Sequence, residues 1–290
     1  MIVYLSAGSS FMKQQTNMPI EVAHLLPVLD QKLVSLLKSL TPAEWEAQTI
    51  ARLWKVKDVA AHLLDGNIRV LSICRDGFYG EKADIRSHED LVRFLNGLNA
   101  DWVKAMRRVS PQMLIALHEA TGPLFCNYFS ALDPFGKSVL AVDWAGEAES
   151  KNWMETAREY TEKWLHQQQI RDAVHKPGLM SRELFYPFID IFMLALPHTF
   201  RSISAEEGTV VKITITTEIG GIWYLVRRDN KWILQKTASV NPAAEIQIDP
   251  DTSWKLFSKS LRLEQVRNKV ILTGNEALGK QALTMVSVMA

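Results

Sequence analysis

From about residue 19 to residue 201, apolar side chains recur at helical spacing, as in Leu25, Leu26, Leu29, Leu33, Leu36 and Leu37. Such a period gives each segment one face suited to a core. Start signals stand where the helices should begin. Thr41-Pro42-Ala43-Glu44 reads as an N-cap, a first-turn proline and an N3 acid, Ser87-His88-Glu89-Asp90 repeats the device with Asp in place of Glu, and Ser110-Pro111 and Ser150 open further segments. The pattern predicts long helices over roughly 20–39, 55–75, 88–108 and 151–175, another over about 182–201, and a long connection over 123–143. These are the components of an antiparallel bundle.

After Glu207-Gly208 the period falls to two: Val211, Ile213 and Ile215 alternate with Lys212, Thr214 and Thr216, as in a half-buried strand. Strands over 222–228 and 231–237 flank Asp229-Asn230, a pair that tolerates positive φ and suits a tight hairpin. Further strands are expected over 244–248 and 266–272, with helices over 252–259 and 276–289. The fold class expected is therefore α plus α+β. Residues 19–203 form a helical bundle, 208–290 a small α+β domain, and 1–18 an N-terminal extension, with Met12 or Met18 as alternative starts.

A length of 290 residues with 47% apolar content suits two domains. Lys and Arg total 33 against 32 Asp and Glu, which leaves no electrostatic footprint for nucleic acid. No apolar run approaches a membrane span; the richest, 185–196, is interrupted by Pro187 and Asp190. The first residues lack the basic lead and long apolar run of a secretory signal. Cys74 and Cys126 have neither the number nor the spacing of a disulfide framework or a thiolate zinc site, so a reducing, cytoplasmic setting fits.

Among the seven histidines, His166 lies four residues after an acid, Glu162, on a predicted helix. Residues at i and i+4 share one helical face, so carboxylate and imidazole can reach one ion. His62, in the middle of the second helix, can supply a third ligand from a neighbour, leaving open positions as in a catalytic zinc site. The competing reading is a solvated face. Glu155, Glu159, Glu162, His166 and Gln169 form one stripe opposite Trp153, Ala157, Tyr160 and Trp164, and Asp58, Asp65 and Arg69 share the side of His62. His24, His88, His118, His175 and His198 have no partner at metal spacing, Cys74 and Cys126 have no adjacent base, and Trp144 and Trp164 read as bundle core.

Two stretches carry a resemblance. One is Trp54-Lys55-Val56-Lys57-Asp58-Val59-Ala60-Ala61-His62-Leu63. The other begins at Val142-Asp143-Trp144-Ala145-Gly146, passes Ser150, and continues from Ala157-Arg158-Glu159-Tyr160-Thr161-Glu162 to His166-Gln167-Gln168-Gln169-Ile170-Arg171-Asp172-Ala173. Together they resemble the mycothiol-dependent maleylpyruvate isomerase family, a branch of the DinB-like four-helix metalloproteins. The resemblance implies that His62, Glu162 and His166 bind a divalent metal, normally zinc. Where the family often continues with histidine-glycine-glutamine-aspartate, this chain has His166-Gln167-Gln168-Gln169, so Gln169 replaces a charged supporting group by a neutral one. The C-terminal part resembles the sterol-carrier-like α+β domain that commonly follows this bundle.

The resemblance implies a metal-dependent isomerase or thiol transferase whose partners are a small-molecule substrate and a low-molecular-weight thiol, with a homo-oligomer left open. The alternative is a carrier in which the metal ties helices together while the C-terminal domain holds a hydrophobic ligand in a large apolar cavity.

Overall fold

The computed structural model describes residues 19–81, 83–139 and 150–286. The extension 1–18, the stretch 142–146 with Trp144, and residues 287–290 lie outside the described residues. The helical part contains α1 (Leu26–Lys38), α2 (Val56–Val70, continued by a π-helical turn at Leu71–Arg75), α3 (His88–Met106), α4 (Pro111–Ser130), α5 (Asn152–Ala173) and α6 (Arg182–Met193). The start signals act as expected. Thr41 and Glu44 form a capping box, and the hydroxyls of Ser87 and Ser110 accept from the N–H groups of Asp90 and Met113.

Four helices close a ring, α1 packing on α4 and α5, and α2 on the same two. The fourth member is α4, not the 88–108 segment: α3 packs on α2, held by Trp102 Nε1 donating to Ala61 O at 2.9 Å. The expected connection over 123–143 begins too early, because α4 runs through Pro123 to Ser130. A proline there removes one helix bond and crowds the preceding turn. Burial of Phe125, Cys126 and Phe129 just beyond it holds the helix together. Likewise α6 continues through Pro187, its apolar face entirely buried, and stops at Met193, with a separate turn at Leu196–Thr199 rather than one helix to 201.

The polar stripe of α5 is not a solvated face. Glu155, Gln167, Gln168, Gln169 and Arg171 are buried along with Tyr160 and Trp164. A polar helix buried this way needs its groups paired. Gln167 Nε2 donates to Leu29 O at 2.8 Å, Arg171 donates to Lys32 O at 3.0 Å and Pro177 O at 2.6 Å, and Ser138 Oγ donates to Glu155. Asp58 and Asp65, on the side of His62, are buried too.

The sheet comprises β1 (Val210–Ile215), β2 (Gly221–Arg228), β3 (Lys231–Gln235), β4 (Ala244–Ile248) and β5 (Val270–Gly274), in the order β3-β2-β1-β4-β5. Only β1 and β4 run parallel. Asp229 and Asn230 take φ of 50° and 59°, the left-handed pair that turns the predicted hairpin. The strand expected over 266–272 starts later. Leu263–Val266 is a helical turn and Arg267–Lys269 a 3-10 turn, since Val266 is buried in the core as part of that turn. Two helices complete the unit, α7 (Pro250–Phe257), capped by Asp249, and α8 (Glu276–Leu283).

One apolar core runs through both parts. Trp164 of α5 stacks on Phe188 of α6 at 3.9 Å and meets Trp254 of α7 edge-on at 6.3 Å. The inner face of the sheet, with Val211, Ile213, Trp223 and Leu225, is buried in the same cluster as α6. Polar ties reinforce it: Trp223 Nε1 donates to Asp190 Oδ1 at 2.6 Å, and Lys255 bridges Asp172 and Asp251 at 2.8 and 3.0 Å. None of the helices among the described residues is long and apolar enough to cross a membrane.

Candidate metal centre

The face shared by α2 and α5 brings His62, Glu162 and His166 together, one donor atom of each lying within 4.8 Å of the others. Glu162 and His166 meet because they are one turn apart on α5, with Nε2 to Oε2 at 3.1 Å. His62 enters from α2, its Nε2 lying 3.9 Å from the same carboxylate oxygen. The two imidazoles stand edge to face with centroids 4.5 Å apart. Among the described residues no other group of His, Cys, Asp and Glu converges in this way. Cys74 and Cys126 are apart from it; Cys74 instead leans on Glu155 at 3.7 Å.

Gln169, singled out from the sequence as a supporting residue, accepts from His166 Nδ1 through Oε1 at 2.9 Å. That bond places the ring proton on Nδ1 and leaves a lone pair on Nε2, aimed at the carboxylate. In a neutral ring two acceptors then face each other, an arrangement that a cation between them satisfies. A tetrahedral ion with bonds of ~2.1 Å holds its donors ~3.4 Å apart. The 3.1 and 3.9 Å separations bracket that spacing, so this nitrogen and oxygen donor set fits a zinc-like ion.

The charges are suited to it. Burial first, and the His166 charge second, push the His62 imidazole down to about 4, so it stays neutral at ordinary pH. For Glu162 desolvation acts upward, but the hydrogen bonds and charges of His166 and His62 outweigh it and hold the carboxyl well below its usual range. Neutral imidazole and ionised carboxylate are the ligating forms. The two imidazoles are 12% and 13% exposed and the Glu162 side chain 43%, so the cluster is walled by helices but open on the glutamate side.

Trp54 supplies another wall, its ring 4.7 Å from that of His62 and 6.1 Å from that of His166. The loop that presents it is tight. Trp54 O accepts from Thr49 Oγ1 at 2.7 Å and Gln48 Nε2 at 2.9 Å, and Gln48 and Lys55 form a β-bridge. Sequence reading quoted Trp54 within a motif but gave it no role; its place immediately before the capped helix of His62 was the available signal. The far nitrogen of His62, Nδ1, is buried without a hydrogen-bond partner, unlike that of His166.

The model of the mycothiol maleylpyruvate isomerase N-terminal domain matches residues 26–171, half of the chain, with all three converging residues inside the match. The chain belongs to that family. As a mycothiol maleylpyruvate isomerase family member it also shares a fold with two crystal structures, of the mycothiol-dependent maleylpyruvate isomerase and of a histidine-to-alanine mutant of it. Each is 12% identical, at a TM-score of 0.53, covering 90% of this chain and 96% of that one. The solution structure of the sterol carrier protein domain 2 of Helicoverpa armigera is 14% identical over 32% of this chain and 80% of its own. Its TM-score of 0.26 is too low to speak for the α+β part. No curated protein matches the chain.

Proposed function

We propose that this family member is a divalent-metal-dependent enzyme that uses a low-molecular-weight thiol either to isomerise a small unsaturated acid or to join the thiol to an electrophile. His62, Glu162 and His166 would hold the metal, zinc by preference. The observation that supports this reading most is the convergence of two imidazoles and one carboxylate on a common point that stays open on the glutamate side. A sealed structural site would have closed that position.

When bound, such an ion lowers the pKa of a coordinated thiol or water and polarises a substrate oxygen. The chain supplies the surroundings. Gln169 fixes the tautomer and tilt of His166 by its bond to Nδ1. Trp54 covers the two imidazoles with an apolar face and keeps bulk water from that side. The chain's own thiols are poor reagents: burial first, and for Cys74 the Glu155 charge, for Cys126 the Asp30 charge, push both up to about 12. A thiol partner is therefore assigned the nucleophilic part. The carrier reading finds less support, since the inner face of the sheet is filled by Trp223 and Leu225 packed with α6.

The test is equilibrium dialysis against zinc together with turnover of maleylpyruvate in the presence and absence of mycothiol. Uptake of one zinc and thiol-dependent turnover, both lost in His166→Ala, are expected. Equal zinc uptake by wild type and His166→Ala would defeat the assignment.

A further inference from the structure

Glu162 and the next residue, Lys163, leave α5 on different sides, as a 100° step per residue requires. The carboxylate goes to the candidate centre, and the lysine stem goes into the bundle. There Lys163 Nζ donates to Leu63 O at 3.0 Å and to Asn67 Oδ1, and lies over the Phe125 ring at 4.4 Å. Asn67 is held in turn by Nδ2 donating to Thr121 Oγ1 at 3.0 Å. Asp30 of α1 and Glu159, one turn earlier on α5, face the ammonium with opposite charge. One buried cation thus engages α1, α2 and α4 from α5.

Its position relative to the centre is the telling feature. Leu63 follows His62, and Lys163 follows Glu162, so the 3.0 Å bond joins the immediate neighbours of two converging residues from different helices. We propose that Lys163 is a positioning residue for the centre, fixing the axial register of α2 against α5 so that His62 meets Glu162 and His166. A slip of one residue step along a helix is ~1.5 Å. Metal–ligand bonds tolerate ~0.2 Å. The apolar packing of two helices does not by itself set register this finely, because ridges and grooves recur with each turn. A directed bond to one carbonyl does.

This inference rests on the proposed metal reading, and a second buried cation of the same helix separates the two. Arg171 ties α5 to α1 and to the turn at Pro177, and none of its hydrogen bonds among the described residues goes to α2. Zinc affinity is measured by competition with a chromophoric chelator for wild type, Lys163→Met, Arg171→Met and His166→Ala, with the visible spectrum of the cobalt-loaded proteins and melting temperatures alongside. Lys163→Met should bind zinc about 10–100-fold more weakly than wild type, the usual effect of losing a group that orients a ligand, and its cobalt spectrum should change. Arg171→Met should melt earlier yet keep zinc affinity within about twofold and an unchanged spectrum. If Lys163→Met does not fold, Asn67→Ser, which removes one acceptor of the ammonium, is read in its place with a smaller change in the same direction. Wild-type affinity in Lys163→Met, or equal losses in Lys163→Met and Arg171→Met, overturns this inference alone. Zinc binding no tighter in wild type than in His166→Ala overturns it together with the proposed function.

Discussion

The His166 ring is held from behind by Gln169, Nδ1 to Oε1 at 2.9 Å, so in a neutral ring the nitrogen facing Glu162 is the one free to ligate. An amide does this without adding charge. Gln169→Leu, at a buried position one turn beyond His166, should keep the fold and lower zinc affinity by about 10–100-fold. Gln169→Glu, which puts a carboxylate behind the ring, should bind at least as tightly as wild type. Chelator competition on the three proteins checks both; a Leu variant with unchanged affinity would show that the tautomer does not depend on this bond.

The second prediction concerns acid. His118 is fully buried with Nε2 donating to Ala60 O at 2.9 Å, and burial, followed by the Lys163 charge, lowers it from 6.5 to about 4. The unfolded chain takes up this proton near 6.5 and the folded chain only near 4, so the stability present above the first value is lost as pH falls to the second. His118→Leu should flatten the dependence of unfolding free energy on pH across that window, measured by urea titration with chelator present. Glu159 acts oppositely. Burial raises it to about 7 from 4.5, so stability is lost as pH climbs between those values, and Glu159→Gln should gain most above the upper one.

A third expectation follows from the shared core. Trp164, Phe188 and Trp254 join helices and sheet through ring contacts at 3.9 and 6.3 Å. Trp164→Ala should cost about 3–5 kcal/mol. Helical dichroism and the fluorescence of the remaining tryptophans should move together to lower temperature. Two separated transitions in the wild type would show that the sheet unit is held independently.

The chain's thiols provide a fourth. Both are pushed up to about 12, Cys126 in the core and Cys74 beside Glu155. A Cys74→Ala, Cys126→Ala double variant should retain most thiol-dependent turnover once folded. Loss of turnover at unchanged dichroism would transfer the nucleophilic part to the protein.

What the sequence made legible was local. The caps at Thr41, Ser87 and Ser110 and the Asp229-Asn230 hairpin depend on a few adjacent residues, and the structure has them all. The pair Glu162 and His166 was readable from its spacing, and His62 from its place in the middle of a helix together with a resemblance of motifs. What failed depends on neighbours distant in the chain. Pro123 read as the start of a connection because an isolated helix does break there, whereas packing overrides the loss. Gln169 of α5 read as part of a solvated stripe because a polar stripe usually is one, yet it is buried behind His166. Lys163 was passed over for the same reason: a lysine on an amphipathic helix normally points to water, and only the three-dimensional arrangement puts Leu63 O and Asn67 within its reach.

His62 and Glu162 stand a hundred positions apart along the polypeptide, on helices that pack against each other in the closed ring. A denatured chain presents at best the weak pair of Glu162 and His166, since closing so long a loop costs entropy that no local contact repays. Any ion held by all three side chains would therefore discriminate between the native topology and every looser state. By mass action it would raise the melting temperature with the logarithm of its free concentration. Metal supply would then set not only how much of this protein is active but how long each molecule survives unfolding in the cell.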